Sequence, residues 1–120
     1  MVKVVVTGGA GFIGSYVSRK LSEKKYDVVV FDDFSNATGK SNLPKNIKII
    51  KKSILDVSAL KRAFKGAKIV IHMAVKPLPM SFVDPDEIVK VNDFGSYLVS
   101  KTCTELKCKL IHVSSSEAYG

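Results

Sequence analysis

Short runs of mostly β-branched apolar residues recur along this chain, and between them the apolar positions thin to every third or fourth residue. Runs of that length with few polar interruptions predict strands buried on both faces. The expected strands are Lys3–Thr7, Val28–Asp32, Ile47–Lys51, Ile69–His72 and Leu110–Val113. Helical spacing predicts a first helix over Phe12–Lys24, where Ile13, Val17 and Leu21 share one face. A second helix carries Leu60, Ala63 and Phe64, starts at a cap on Asp56 or Ser58, and stops at Gly66. The third runs from Asp86 to Leu106. The polar stretch from Asp33 to Asn46, with Gly39 and Pro44, reads as a long functional loop, and a proline-rich loop (Pro77, Pro79, Pro85) follows the fourth strand. Strands alternating with helices predict an α/β fold, a single Rossmann-type domain over residues 1–120 with a parallel sheet in the order 3-2-1-4-5. The loops singled out then lie at the carboxyl ends of the strands, where such sheets bind ligands.

The first strand runs straight into Gly8, Gly11 and Gly14, and then into a helix. Gly8 permits a sharp turn, Gly11 leaves room for a pyrophosphate on backbone N–H groups, and Gly14 lets the helix lie close to the sheet. The second strand ends in Asp32-Asp33, an acid placed to accept from a ribose diol. Together these features predict a dinucleotide site. A 2′-phosphate would meet Asp32 with no arginine following it, which favours NAD over NADP, although Lys40 remains within reach.

Composition narrows the field. At 120 residues and 46% apolar content, the chain supports a single core. No apolar run is long enough to span a bilayer, no signal-like segment precedes the first strand, and no membrane partner is expected. Cys103 and Cys108 are spaced unlike a metal site, so free thiols in a reducing cytoplasm are expected and no metal is assigned. The net charge of +8 comes almost wholly from scattered lysines, which form a solvated surface able to attract anionic substrates. Without a basic stripe or a known module, no nucleic-acid partner is expected.

Beyond Thr7-Gly-Gly-Ala-Gly-Phe-Ile-Gly-Ser15, the chain carries Phe31-Asp-Asp-Phe-Ser-Asn36, Ser53-Ile-Leu-Asp-Val57, His72-Met-Ala-Val75, Val91-Asn-Asp-Phe-Gly-Ser96 and Val113-Ser-Ser-Ser-Glu-Ala-Tyr-Gly120. In that order these segments resemble the extended short-chain dehydrogenase/reductase family, and within it the NAD-dependent nucleotide-sugar epimerases and dehydratases of the UDP-glucose 4-epimerase type. The resemblance spans the whole chain. It implies that Phe12 and Ile13 give backbone N–H groups to the pyrophosphate. Asp32 would bind the adenosine ribose, with Asp33, Ser35 and Asn36 close by. Ser53 and Ile54 would meet the adenine edge, Met73, Ala74 and Val75 would line the cofactor, and Asn92 would face the nicotinamide side. Ser115 matches the catalytic hydroxyl that bonds the sugar hydroxyl being oxidised.

Departures from the family pattern are also informative. Ser53 stands where Asp is usual, and the loop after His72 is about one residue short and holds Lys76-Pro77. Ser116-Glu117 replaces the Asp-Glu pair of 4,6-dehydratases, which suits an epimerase or a decarboxylase. Glu117 reads equally as a substrate-side base or as a rim charge. The family's catalytic Tyr-x-x-x-Lys follows Ser115 at a distance beyond Gly120, so the sheet is expected to be truncated after strand five and the C-terminal substrate domain to be absent. Tyr16…Lys20 and Tyr97…Lys101 have the spacing but lie out of order, and Tyr119 fits packing or a substrate wall. The expectation is the NAD-binding portion of a nucleotide-sugar epimerase, acting on a nucleotide sugar and incompetent alone. The open edge and bare apolar face left by truncation predict dimerisation, aggregation or marginal stability, with a homodimer the expected assembly. Rival readings are a non-catalytic dinucleotide-binding module or remnant, a nucleotide-sugar decarboxylase or dehydratase, and an NADP-linked reductase.

Overall fold

The computed structural model covers all 120 residues. It contains β1 (Lys3–Thr7), α1 (Phe12–Glu23), β2 (Asp27–Phe31), β3 (Lys48–Ile50), α2 (Val57–Phe64), β4 (Ile69–His72), α3 (Pro85–Ile88), α4 (Ser96–Leu106) and β5 (Lys109–His112). All strand pairs are parallel, and the sheet order is β3-β2-β1-β4-β5, as the alternation of elements predicts. In register, Val5 sits between Val29 and Val70, and Thr7 between Phe31 and His72.

The unbroken apolar run of β1 has its cause in this position. Val4, Val5 and Val6 are at most 1% exposed, because the central strand is covered on both faces. Val5, Val29, Phe31 and Val70 point to the side packed by Leu60, Ala63 and Phe64 of α2 and by Leu98, Val99 and Cys103 of α4. Val4, Val6 and Val28 point to the other side, where Leu21 of α1 joins them. The two cysteines are buried and unpaired, and burial pushes the Cys103 thiol up to about 12, with Cys108 adding to the effect.

Several boundaries differ from the sequence expectation. β2 and β5 each start one residue earlier, and β3 is shortened at both ends. Asp32 thereby falls outside the strand, its N–H still donating to Ile50 O at 3.1 Å. The cap of α2 is Asp56, whose carboxylate accepts from Ala59 N at 3.0 Å, and Gly66 just beyond the helix has φ +76°. Ser58 instead accepts from Arg62. The third helix begins at Pro85, behind an Asp84 cap, and is not uniform: Val89–Gly95 winds as a π segment between α3 and α4. The proline-rich loop holds a 3-10 segment, Leu78–Phe82.

Candidate dinucleotide cleft

A cleft of about 800 Å³ opens at the carboxyl ends of the strands. Its floor is the glycine turn between β1 and α1. Gly8 has φ +69°, and a Cβ on it would stand 2.7 Å from Ala74 N. A Cβ on Gly14 would stand 2.1 Å from Gly8 O, so only hydrogen lets α1 start this close to the turn. Gly11 N bonds Gly8 O at 3.1 Å, and Ser15 N bonds Gly11 O at 3.0 Å. The amides of Phe12, Ile13 and Gly14 donate to no group of the protein. They are the free donors that open any helix, concentrated here at the positive end of α1.

The loop after β2 is less loose than its composition predicts. Gly39 is buried, its N–H donates to Ala10 O at 2.9 Å, and a side chain there would overlap Ser15. The loop is thus fastened across the glycine turn. The Asp32 carboxylate, 8% exposed, accepts from Ala10 N at 2.9 Å and from Phe34 N at 2.8 Å. It therefore locks the tip of β2 to the turn after β1. Asp33 accepts from Ser35 N at 2.9 Å and Ser35 Oγ at 2.6 Å. Burial pushes its carboxyl upward, but the Ser35 hydrogen bonds and the nearby Lys76 ammonium outweigh this and lower its pKa overall.

Opposite, after β4, a network that sequence reasoning missed sets the wall. Thr7 Oγ1 accepts from Met73 N at 3.1 Å and Ala74 N at 3.2 Å. Its single proton is then left for His72 Nδ1, 2.6 Å away. Nδ1 must accept, so Nε2 carries the ring proton and donates to Ser96 Oγ at 2.8 Å. The ring is neutral: burial, and secondarily His112, bring its pKa down to about 4. His72 thus satisfies a core edge. The available signal was a polar residue closing each of two neighbouring strands in the same register.

Lys76 is the other missed residue, noted in the sequence only as part of a short loop. Its backbone is held by Asn92, whose Oδ1 accepts from Lys76 N at 2.8 Å and whose Nδ2 donates to Lys76 O at 3.1 Å. Asn92 lies in the π segment, with both amide atoms committed to this task. The Lys76 ammonium reaches Ser35 Oγ at 2.7 Å and Asp33 Oδ2 at 3.4 Å.

The site residues expected from the sequence all line this one cleft: Gly8, Gly11, Phe12, Ile13, Gly14, Asp32, Asp33, Ser35, Asn36, Ser53, Ile54, Met73, Ala74, Val75, Asn92 and Ser115; Lys40 and Tyr119 do not. Ser53 Oγ accepts from Leu55 N at 3.1 Å. Ser115 Oγ donates to Glu117 Oε2 at 2.9 Å. No tyrosine lines the cleft. Lys20 Nζ stands over the face of the Tyr16 ring, 5.6 Å from its centre, while Tyr97 stacks on Phe94 and Tyr119 is 94% exposed.

Residues 4–120 match the NAD dependent epimerase/dehydratase family. A dTDP-D-glucose 4,6-dehydratase of Dictyostelium discoideum is 34% identical over 98% of this chain, which covers 30% of that protein. The UDP-glucose 4-epimerase of Thermotoga maritima, solved with UDP-glucose, superposes with a TM-score of 0.91 at 34% identity, over 99% of this chain and 40% of that one. The UDP-glucose 4-epimerase of Brucella ovis, solved in complex with NAD, gives 0.89 at 29% identity, over 100% of this chain and 38% of that one. The chain therefore spans well under half the length of these relatives. With its parallel five-stranded sheet and glycine-turn cleft, it belongs to the NAD-dependent epimerase/dehydratase family.

Proposed function

We propose that these residues are the NAD-binding part of a nucleotide-sugar epimerase-type oxidoreductase. One observation carries the reading: the unengaged amides of Phe12, Ile13 and Gly14 open onto a cleft that Asp32 and Asp33 also line. Anion donors at one point and a diol acceptor at another match a pyrophosphate flanked by a ribose. The glycine cradle fits the same group, since a Cβ at Gly8 or Gly14 would close it. In this reading Phe12 and Ile13 hold the pyrophosphate, Asp32 and Asp33 with Ser35 and Asn36 hold the ribose, and Ser53 and Ile54 border the adenine. Met73, Ala74 and Val75 wall the nicotinamide half, and Asn92 fixes that wall through Lys76. NAD, when bound, supplies a hydride acceptor.

The chain's own chemistry is orientation and polarity. Ser115 would hydrogen-bond the sugar hydroxyl and hold its carbon toward the cleft. No tyrosine lines the cleft, and this reading assigns no proton-transferring group to these residues. The substrate is a nucleotide sugar, the compartment cytoplasmic and the assembly a homodimer. A decarboxylase is the second reading, favoured by the Glu117 carboxylate beside Ser115.

Calorimetric titration tests the core of this. NAD⁺ should bind saturably and more tightly than NADP⁺, and UDP-glucose should not be turned over. Preference for NADP⁺, or turnover by these residues alone, would overturn the assignment.

A further inference from the structure

The fold gathers lysines that look scattered along the sequence onto one end of the molecule, opposite the cleft. Lys3, Lys48 and Lys109 open β1, β3 and β5, and Lys68 stands just before β4. Main-chain bonds of 3.0 and 2.9 Å tie Lys68 to Lys3 and Lys109 to Lys68. In register Lys48 stands two residues above the level of Lys3, so the row departs from one plane by about 7 Å at most. Helices that return across a parallel sheet end on this side too. Lys24 and Lys25 follow α1, while Lys65 and Lys107 follow α2 and α4. Since α1 packs on one face of the sheet and α2 and α4 on the other, the patch spans all three layers.

All of these lysines except Lys3 are exposed. The ion pairs of the chain engage Arg19, Lys20, Lys61 and Lys76 instead, and only Lys3 has a partner, donating to Lys65 O at 2.8 Å. Of the eleven acids, only Glu23, Asp27 and Glu105 approach this end, and Glu23 and Glu105 are already held by Arg19, Lys20 and Lys61. Burial, and next the Lys48 charge, lower the pKa of Lys3, in keeping with like charges crowded together. Cations at helix ends complement the helix dipole. That does not account for Lys48, Lys68 and Lys109, which stand at strand starts. Lys25 and Lys107 also have φ +67° and +57°, a left-handed backbone usually given to glycine.

We propose that this amino-end face is a docking surface for a membrane bearing acidic phospholipid headgroups, a role independent of the cofactor reading. A bilayer is the partner that its shape fits. The face is broad in two dimensions and nearly level, and its free cations are lysines, which act as point charges. Tyr26, between Lys25 and β2 and 37% exposed, adds an amphipathic ring suited to the headgroup level. Clusters of about four to eight basic residues are what an anionic leaflet holds. No helix is long and apolar enough to cross a membrane, and adsorption to a surface needs none. The other acids lie toward the carboxyl ends of the strands, so the charge asymmetry orients the molecule with its cleft facing water.

Co-sedimentation of the 120-residue chain with phosphatidylcholine vesicles containing about one-third phosphatidylserine tests the surface. The chain should bind these vesicles and not phosphatidylcholine alone, and added salt should release it. Combining Lys48→Gln, Lys68→Gln and Lys109→Gln should weaken binding about tenfold or more. Removing the same charge at the cleft end, with Lys40→Gln, Lys51→Gln and Lys90→Gln, should change it about twofold at most. Circular dichroism checks the fold of each variant. Should the first triple variant not fold, its single exchanges replace it, each losing about threefold. Equal losses from the two sets, equal binding to both kinds of vesicle, or binding to neither would overturn the proposal. Tighter binding to single-stranded oligothymidylate through the same lysines would also overturn it, making nucleic acid the partner.

Discussion

At Gly8 the backbone has φ +69° and no space for a methyl group, whereas Gly66 has φ +76° with nothing within 4 Å of an added Cβ. The contrast separates conformational cost from contact cost. Gly66→Ala should lose about 1 kcal/mol, the left-handed penalty alone. Gly8→Ala adds a collision with the Ala74 backbone and should lose roughly 2–4 kcal/mol in urea unfolding. A similar loss for both would mean that Ala74 does not press on the turn. His72 gives a second prediction. Its folded pKa, about 4, lies below the ordinary 6.5. The unfolded chain therefore binds the extra proton first, so stability is full above pH 6.5 and falls as pH drops toward 4. The loss is on the order of 3 kcal/mol and should be absent in His72→Phe, compared at matched pH by chemical denaturation. At this scale the glycines and Asp32 were legible because their spacing is local. Lys76 and the Thr7–His72–Ser96 relay were not, because each joins residues that only the sheet order brings together.

Among the elements, strands and helices followed from apolar periodicity, while their ends followed from hydrogen bonds that periodicity does not encode. Asp56 and Ser58 were equal candidates to cap α2, and only the Asp56 carboxylate meets an orphan amide. Asp56→Ala should therefore lose about 1 kcal/mol and Ser58→Ala much less, as thermal unfolding would show. The π segment had no readable signature. Its seven residues sit in a continuous helical pattern, yet they bring Asn92 to Lys76 and end at Gly95, where a Cβ would lie 2.5 Å from Ile54 Cδ1. Such segments recur at functional sites. The Asp33–Asn46 loop was legible as a loop, but its fastening to Ala10 through Gly39 depends on a contact across the turn.

For the whole molecule, the sheet order puts β3 and β5 at open edges. Ile111 of β5 and Val113 just after it are 42% and 45% exposed, and Phe82 and Val83, in the segment between β4 and α3, exceed 80%. An unpaired edge beside bare apolar surface favours self-association. Sedimentation should show mass rising with protein concentration, and a single monomeric species throughout would contradict this. The family relatives are more than twice as long. The most direct test is an amide NMR titration of the folded chain with millimolar NAD⁺. The account predicts that the Phe12, Ile13 and Gly14 resonances, free of internal partners, shift together and saturate, and that NADP⁺ moves them less. Unmoved resonances at those residues in a folded protein would contradict it.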